Sequence, residues 1–227
     1  MVGVLVNILA VIVGSALGLL LQKGLPEKLK TVMMSGMALC VLYIGISGTL
    51  ESRNAIIVVI SIALGALVGA LIGIDSGLNR LGDWVTAKAK GMGGTLSNMG
   101  EGFVSGTLLF CVGAMTVVGS LEAGITGDNS TLFTKSLIDM VSALVLTTTL
   151  GGGVMLSAVA VGVLQGGIVL LATYIQPFLT AEAVAEMTAA GSILIMGLGI
   201  NMLGISKIKV ADVLPAIVIA PILSIWL

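Results

Sequence analysis

The sequence predicts an all-α fold, a polytopic bundle of about eight transmembrane helices, and two observations carry that prediction. The 227 residues are 57% hydrophobic and only 9% charged, whereas about a quarter of the residues in an ordinary soluble domain are charged. Several apolar runs also reach the roughly 20 residues that a helix needs to cross a bilayer. The net charge of −1 gives no sign of nucleic-acid binding.

Short polar or glycine-rich segments separate the apolar runs. The first run has no basic segment before it and is too long for a signal peptide, so we interpret it as a retained span. Asp75–Lys90 shows apolar residues at helical spacing among charged ones, which predicts an amphipathic surface helix, with a connecting loop as the alternative. The predicted spans are Val2–Leu21, Val32–Leu50, Ala55–Ile74, Phe103–Leu121, Leu132–Leu150, Val154–Ile175, Thr188–Ile205 and Val210–Leu227.

The basic residues predict the orientation of these spans. If the N-terminus is outside, eight of the ten Lys and Arg residues fall on the cytoplasmic side, as the positive-inside rule expects. Arg53 is then outside, and Lys135 lies near a membrane boundary. We therefore expect both termini outside. The eight cytoplasmic residues are Lys23, Lys28, Lys30, Arg80, Lys88, Lys90, Lys207 and Lys209.

Two triplets of spans look alike. GVLVNILAVIV, which begins at Gly3, aligns with GVMLSAVAVGV, which begins at Gly153, and IGIS resembles LGIN further along each triplet. Because five spans precede the second triplet, the two would form an inverted repeat, a common construction in secondary transporters. The predicted units are a first repeat at 1–74, a surface helix and hinge at 75–99, a polar two-span insert at 100–153 and a second repeat at 153–227. The alignment pairs Asn7 with Ser157 and Ser47 with Asn201.

Glycines four residues apart recur in the spans. Gly65, Gly69 and Gly73 form a doubled GxxxG motif, and the pairs Gly14–Gly18 and Gly162–Gly166 repeat the spacing. Small residues on one helix face allow close helix packing in a membrane. The packing could be within the subunit or against a second copy in a homodimer, and the sequence leaves both open. The expected partners are the lipid bilayer, a small solute or ion and such a second copy, but not nucleic acid.

The insert at 100–153 carries charges between glycine-rich ends. A charge within hydrocarbon costs about 2.5–3.5 kcal/mol on insertion scales. Asp139 is too short to reach the interface, and Lys135 shares its helical face, so the two can pair. The pair is either an internal ion pair that orients the helix, or a place where Asp139 binds and releases a cation or proton. Glu122 and Asp128 form either a solvated loop or an acidic vestibule.

Polar residues inside or beside the spans complete the candidate path. Amides such as Asn7, Gln165 and Asn201 join helices about as often as they contact a solute. The chain has no histidine, and the sequence offers no catalytic or metal-ligand arrangement and no cofactor motif, so we do not expect an enzyme. The residues predicted to line a substrate or ion path are Asp139, Lys135, Glu122, Asn7, Ser47, Ser157, Asn201, Thr116 and Gln165.

A long internal segment is distinctive at the level of sequence. FVSGTLLFCVGAMTVVGSLEAGITGD, followed by KSLIDMVSALVLTTTLGGGVMLSAVAVGVLQGG, resembles the YqgA/YdfK-type family of bacterial inner-membrane proteins, which corresponds to a domain of unknown function (DUF554). The resemblance extends over the whole chain, including the opening NILAVIVGSALGLLL. It implies a bacterial cytoplasmic (inner) membrane location and several membrane helices. It implies no substrate and no functional residues.

These observations support one leading hypothesis for the function. A secondary transporter of a small polar or ionic solute, coupled to Na⁺ or H⁺, would account for the inverted repeat and the polar insert, with Asp139 as the first candidate for ion coupling. A passive glycine-lined channel is one alternative. A structural or partner-binding membrane subunit, in which Lys135 and Asp139 only join helices, is the other.

Overall fold

A computed structural model describes residues 1–22, 24, 26–77, 80, 99–112, 114–177 and 179–226, and this part of the chain is helical with no strand. The helices are α1 Val2–Gln22, α2 Glu27–Thr49, α3 Ala55–Ile72, α4 Met99–Cys111, α5 Ala114–Ile125, α6 Ser130–Leu150, α7 Gly153–Ile175, α8 Ala181–Met202 and α9 Pro215–Leu223. A 3₁₀ turn at Val210–Val213 precedes α9.

The predicted membrane helix bundle is confirmed as a fold class. Within the described residues, six helices are long and apolar enough to cross a membrane: α1, α2, α3, α6, α7 and α8. Their outer faces expose large apolar side chains, such as Leu71 at 80% and Tyr43 at 73%, which is the arrangement expected of helices that face lipid. The apolar segment Val210–Leu223 is shorter than a full span. The eight predicted crossings therefore stay a prediction.

The structure corrects the prediction for the fourth span. Phe103–Leu121 is not one straight helix, because α4 and α5 meet at an angle of 60°. The hydroxyl of Thr116 donates to the carbonyl of Phe110 across this break at 3.1 Å, and the side chain of Val112 lies against Gly191 of α8. Both contacts help to accommodate the bend, because one satisfies a carbonyl near the break and the other fills the space that a glycine leaves.

Two predicted boundaries are decided by local hydrogen bonds. Thr180 caps α8, since its hydroxyl accepts from the backbone N–H of Ala183 at 3.1 Å, so the predicted start of that span at Thr188 is about two turns late. Gly151 ends α6 in a conformation with φ of 76°, and its N–H bonds to the carbonyl of Thr147. The run of threonines and glycines at this point is therefore a tight turn and not a broken helix.

The prediction for 75–99 falls mostly outside the described residues. Residues 74–77 are helical, whereas 78–79 and 81–98, which include most of the predicted surface helix and hinge, lie outside the described part. The last part of the glycine-rich stretch, from Met99, belongs to α4.

Helices α1 and α6 run parallel and approach closely. The N–H of Gly3 donates to Asn129 Oδ1 at 2.9 Å near the start of both helices, and further along Gly14 lies against the carbonyl of Met140. Helices α1, α2 and α3 follow one another up and down through short connections, so α3 ends at the opposite end of the bundle from the start of α1. Because α6 starts at the same end as α1, the chain between α3 and α6 must cross the bundle. The bent pair α4–α5 makes that passage.

The pairs α1–α7, α2–α8 and α3–α9 each run antiparallel. In the first pair, Leu19 near the end of α1 lies opposite Gly152, which directly precedes α7, and Ile8 in the first half of α1 lies opposite Gly162 further along α7. In the same way, α2 packs against α8 and α3 against α9. Gly65 and Gly69 of α3 contact Ala216 and Asp212, so this GxxxG face packs within the subunit. Gly73, with φ of 72°, ends α3 instead.

Helix α8 lies at the centre of the bundle. In its 18-residue apolar segment, 72% is buried inside the protein, whereas the buried share of the corresponding segment in the other spanning helices is at most 44%. Its residues Ile195 and Leu198 join Val11, Phe110 and Leu146 in the main hydrophobic core. Helix α8 is therefore the most enclosed of the spanning helices, with α2, α3, α9 and the bent pair packed against it, and both of its ends lie beside a cavity.

Candidate substrate and ion path

Four polar side chains from three helices meet inside the bundle. The ammonium of Lys135 lies 3.0 Å from Asp139 Oδ1 and 2.9 Å from Oδ2. Asn7 of α1 donates through Nδ2 to Asp139 Oδ2 at 3.0 Å and to Gln165 Oε1 of α7 at 3.2 Å. We call these four residues the amide–ion cluster. Both members of the pair carry charge, and the two amides extend the site to neighbouring helices.

The amide–ion cluster is almost completely buried. Asn7 and Gln165 are 0% exposed, Asp139 3% and Lys135 6%. Asn7 Oδ1 and Gln165 Nε2 nonetheless have no hydrogen-bond partner among the described residues. A buried polar atom without a partner costs about 1–3 kcal/mol. The cluster therefore has unused acceptor and donor capacity beside a charged pair, which a water molecule or an ion could satisfy.

The sequence around the cluster explains why these helices come together there. Gly3 and Gly14 bring α1 against α6 on either side of Asn7, because a Cβ at Gly14 would meet the carbonyl oxygen of Met140. Lys135 and Asp139 are four residues apart, so they lie on the same face of α6. The face of α6 that is brought closest to α1 is thus the one that carries the ion pair.

A cavity of about 640 Å³ opens at the end of the bundle where α5 ends and α8 begins. We call it the outer cavity, because it lies at the end of the bundle that the positive-inside rule predicts to face outside. Its polar lining comes from Glu51, Arg53, Glu122 and Gln176. Glu122 Oε2 accepts a hydrogen bond from Thr131 at 2.7 Å. Thr131 lies one turn of α6 before Lys135, so polar groups lead from this cavity towards the cluster.

A second cavity, of about 490 Å³, lies at the opposite end of α8, where α4 begins. We call it the inner cavity, because it lies at the end of the bundle that is predicted to face the cytoplasm. Both acidic and basic side chains line it, namely Asp75, Glu101, Lys207 and Lys209, together with Ser105 and Asn201. The two cavities thus lie at opposite ends of α8 and of the bent pair α4–α5. The amide–ion cluster is buried between these ends.

Glu186 fixes the start of α8 beside the outer cavity. It is 1% exposed, and its carboxylate accepts from the hydroxyl of Ser52 at 2.8 Å and from the N–H groups of Arg53 and Asn54 at 2.7 and 2.9 Å. These N–H groups lie at the N-terminus of α3, where a negative charge is favoured. Arg53 also pairs with Glu182 at 3.5 Å, but both side chains are more than 60% exposed, so that pair contributes little.

Four of the nine predicted path residues form the amide–ion cluster, and the others lie elsewhere. Glu122 lines the outer cavity and Asn201 the inner one. Asn201 also bonds to the backbone N–H and carbonyl of Ile208 at 2.8 and 2.7 Å. Thr116 lies at the bend between α4 and α5. Ser157 is buried against Gly106 and donates to the carbonyl of Val154 at 2.5 Å.

Ser47 is the predicted path residue that fits least well, because it is exposed on the surface of α2. The two acidic residues predicted together also separate. Glu122 lines the outer cavity, whereas Asp128 is exposed in the turn before α6. The hydroxyl and backbone N–H of Ser130 donate to Asp128, and these hydrogen bonds lower the pKa of its carboxyl. The vestibule interpretation thus fits Glu122, and the solvated-loop interpretation fits Asp128.

Sequence reasoning missed Glu186 and, apart from Glu122, the polar lining of the outer cavity. The predicted span at Thr188–Ile205 leaves Glu182 and Glu186 in an acidic turn before it, whereas the structure places both in the first turns of α8. The missed signal is Thr180, a preferred N-cap residue that directly precedes a helix-forming run with an acidic first turn. Glu51 and Arg53 lie in a short loop, and no local pattern indicated that they would face a cavity.

The buried helices, the apolar surface and the enclosed polar cluster define a polytopic α-helical membrane protein. More particularly, the chain belongs to the family described as "Protein of unknown function (DUF554)", which matches residues 2–225.

Two relatives are similar over nearly their whole length. The "Uncharacterized membrane protein YdfK" of Bacillus subtilis (strain 168) is 30% identical over 226 residues, covering 98% of this chain and 95% of that protein. The "Uncharacterized protein YqgA" of Escherichia coli (strain K12) is 29% identical over 232 residues, covering 99% of this chain and 97% of that protein. No solved structure matches the chain.

Proposed function

We propose that this protein is a secondary transporter of a small polar or ionic solute, driven by Na⁺ or H⁺. The observation that carries the proposal is the pair of cavities at opposite ends of the bundle, with the amide–ion cluster buried between them. Such an arrangement suits alternating access, in which a central site opens to one side at a time. The proposed location is the bacterial cytoplasmic membrane, with both termini outside.

The helix pairing supports this proposal. An inverted repeat of spans 1–3 and 6–8 would relate α1 to α7, α2 to α8 and α3 to α9, and each of these pairs is in contact and antiparallel. In addition, α1 packs mainly on α6, while α7 packs mainly on the bent pair α4–α5. The straight helix α6 and the broken span α4–α5 would then take corresponding places in the two halves. Broken helices beside the site are typical of such transporters.

The cavity linings favour a small polar solute. The outer cavity presents the carboxylates of Glu51 and Glu122 beside the guanidinium of Arg53. The inner cavity also combines acidic and basic side chains. Charges of both signs within one cavity can bind both ends of a zwitterion or a solute with separated polar groups. The proposed solute is therefore small and carries polar groups at more than one position.

The burial of the cluster also separates transport from the two alternatives. A passive channel needs a continuous water-filled route, whereas the cluster is at most 6% exposed. A purely structural link between helices would gain from satisfied polar groups, whereas Asn7 Oδ1 and Gln165 Nε2, directly beside the ion pair, lack partners among the described residues. Both observations favour a site that opens transiently, rather than a permanent pore or an inert connection between helices.

Charge movement on solid-supported membranes tests the proposal. The purified protein in liposomes would be exposed to rapid increases in the concentration of amino acids, small carboxylates or amines, each in Na⁺, in K⁺ or with a pH step. We expect at least one solute to produce a current in the wild type that Asp139→Asn abolishes and the exposed control Asp128→Asn retains. The absence of current for every solute from folded protein, or an unchanged current in Asp139→Asn, would contradict the proposal.

A further inference from the structure

Lys135 of α6 lies between two carboxylates, that of Asp139 on the same helix and that of Glu122 on α5. Towards the core, Asp139 is one turn along the helix and binds the ammonium at 2.9 and 3.0 Å. Towards the outer cavity, Thr131 lies one turn before Lys135, and its hydroxyl donates a hydrogen bond to the Glu122 carboxylate at 2.7 Å. Each of these four-residue steps covers about 6 Å along the helix, at about 1.5 Å per residue. The long lysine side chain can extend in either direction. Glu122 is therefore a second counter-ion within reach of the same ammonium.

If Lys135 turned towards Glu122, the cluster would keep a set of oxygens without a cation. The set comprises both oxygens of Asp139 and Oε1 of Gln165, and the unpartnered Oδ1 of Asn7 joins it when the Asn7 amide, whose Nδ2 now faces these oxygens, turns over. Oxygen atoms of this kind are the preferred ligands of hard cations. All three side chains are more than nine-tenths buried, so a bound ion would be removed from water and held by the protein.

We propose that the amide–ion cluster binds one Na⁺ or a similar small monovalent cation, which replaces the Lys135 ammonium at Asp139 while Lys135 moves to Glu122. The inference rests on the proposed function and names the site of its coupling ion. Charge balance supports the exchange, because two carboxylates then face two positive charges. A divalent cation would leave one uncompensated charge in a buried site, which is strongly unfavourable.

The exchange gives two substitutions opposite effects on cation binding. Lys135→Gln removes the competing ammonium from Asp139, so the affinity for Na⁺ should rise. Glu122→Gln removes the second counter-ion, so Lys135 should stay on Asp139 and the affinity should fall. A purely structural pair would not produce this opposition, since loss of either charge would then act only through the stability of the bundle.

Isothermal titration calorimetry on the full chain in detergent tests this prediction, with NaCl, LiCl and KCl as the probes and size-exclusion profiles as a check of folding. We expect Na⁺ to bind the wild type, about tenfold more tightly to Lys135→Gln and about tenfold more weakly to Glu122→Gln, which is about 1.4 kcal/mol each way. The exposed control Glu182→Gln should match the wild type. Asp139→Asn should not bind Na⁺.

Lys135→Arg keeps the test decisive if Lys135→Gln does not fold. An arginine holds a carboxylate through two hydrogen bonds and keeps its charge, so this variant should bind Na⁺ more weakly than the wild type. No heat with any of the three salts, or a change in the same direction for Lys135→Gln and Glu122→Gln, would overturn the proposed ion site. Solute-driven current without Na⁺ binding would leave the transport proposal intact, whereas Na⁺ binding without current for any solute would contradict transport alone.

Discussion

Asp139 and Lys135 hold opposite charges in an environment that disfavours each charge alone. Their side chains are 4% and 8% exposed, respectively, so each depends on the other and on Asn7 for compensation. Removing one member of a buried ion pair costs about 3–5 kcal/mol, whereas replacing both by apolar residues is often neutral or stabilising. The pair therefore contributes little net stability, although the loss of either partner is costly.

The first prediction compares single and double substitutions of this pair. Asp139→Asn leaves the Lys135 ammonium buried without a counter-ion, so we expect the midpoint of thermal unfolding in detergent to fall clearly below that of the wild type. The double variant Lys135→Met with Asp139→Leu should recover most of that loss while remaining inactive in the current assay. A double variant as unstable as Asp139→Asn would show that the charges themselves stabilise the fold.

The second prediction concerns Glu186. Glu186→Gln turns a carboxylate that accepts three hydrogen bonds into an amide with a single acceptor oxygen. Hydrogen bonds to a charged group contribute about 1.5–3 kcal/mol each, so we expect the variant to lose stability by at least that amount in thermal unfolding. Glu182→Gln is the matched control, because Glu182 is exposed and should be near neutral. Equal effects of the two substitutions would rule out a special role for Glu186.

The ion pair could be predicted from the sequence, but the site could not. Spacing along one helix places Lys135 and Asp139 on a common face. By contrast, Asn7 and Gln165 are more than a hundred residues apart in the chain, and only the packing of α1, α6 and α7 brings their amides together. Sequence reasoning could name them as polar residues inside spans. It had no way to choose between a solute contact, a link between helices and a place beside Asp139.

Helix contacts in this bundle depend on small residues at particular positions. A Cβ on Gly14 would meet the backbone carbonyl of Met140, and one on Gly18 would lie 2.5 Å from the carbonyl of Leu144. A backbone atom cannot move aside as a flexible side chain can. The crossing of α1 and α6, which places Asn7 beside Asp139, thus requires these glycines.

The third prediction follows from that crossing. Gly14→Ala should separate α1 from α6, which costs about 1–3 kcal/mol through overpacking, and should weaken Na⁺ binding because Asn7 moves away from Asp139. Gly36→Ala is the matched control, since nothing lies within 4 Å of a Cβ at that position in α2, and it should be neutral or slightly stabilising. Thermal unfolding and calorimetry measure both. A Gly14→Ala protein as stable as the control, with normal Na⁺ binding, would contradict the account.

Most helices could be predicted from hydropathy, whereas the break between α4 and α5 could not. The apolar run from Phe103 to Leu121 continues through the bend, so hydropathy alone predicts one straight span. The bend is accommodated by contacts from distant parts of the chain, including the fit of Val112 against Gly191. The late start predicted for α8 has another cause, because the apolar run begins only after the acidic first turn, whereas the helix begins at the cap formed by Thr180.

At the scale of the whole bundle, two elements extend from one cavity to the other. The central helix α8 reaches both cavities, and the bent pair α4–α5 lines the outer cavity at one end and the inner cavity at the other. A change in the bend would therefore affect both openings at once. We expect the bent pair to be the element that moves, while α1–α3 and α7–α9 form the frame.

Ser120 and Ser105 are suitable reporters of these two openings. Ser120 lies on α5 towards the outer cavity, and Ser105 lines the inner cavity on α4. Both are almost fully buried, and neither hydroxyl has a hydrogen-bond partner among the described residues. Replacing either by cysteine is nearly isosteric and removes no hydrogen bond of that hydroxyl.

The most direct test of alternating access is the reaction of these two positions with a membrane-impermeant thiol reagent. Ser120→Cys and Ser105→Cys would each be made with Cys40→Ser and Cys111→Ala, and labelled from the outer and inner side of oriented vesicles in Na⁺ and in K⁺. We predict that exchanging K⁺ for Na⁺ changes the two labelling rates in opposite directions. Rates that rise together would indicate a channel, and rates that are negligible or unaffected by the ion at both positions would contradict transport through this site.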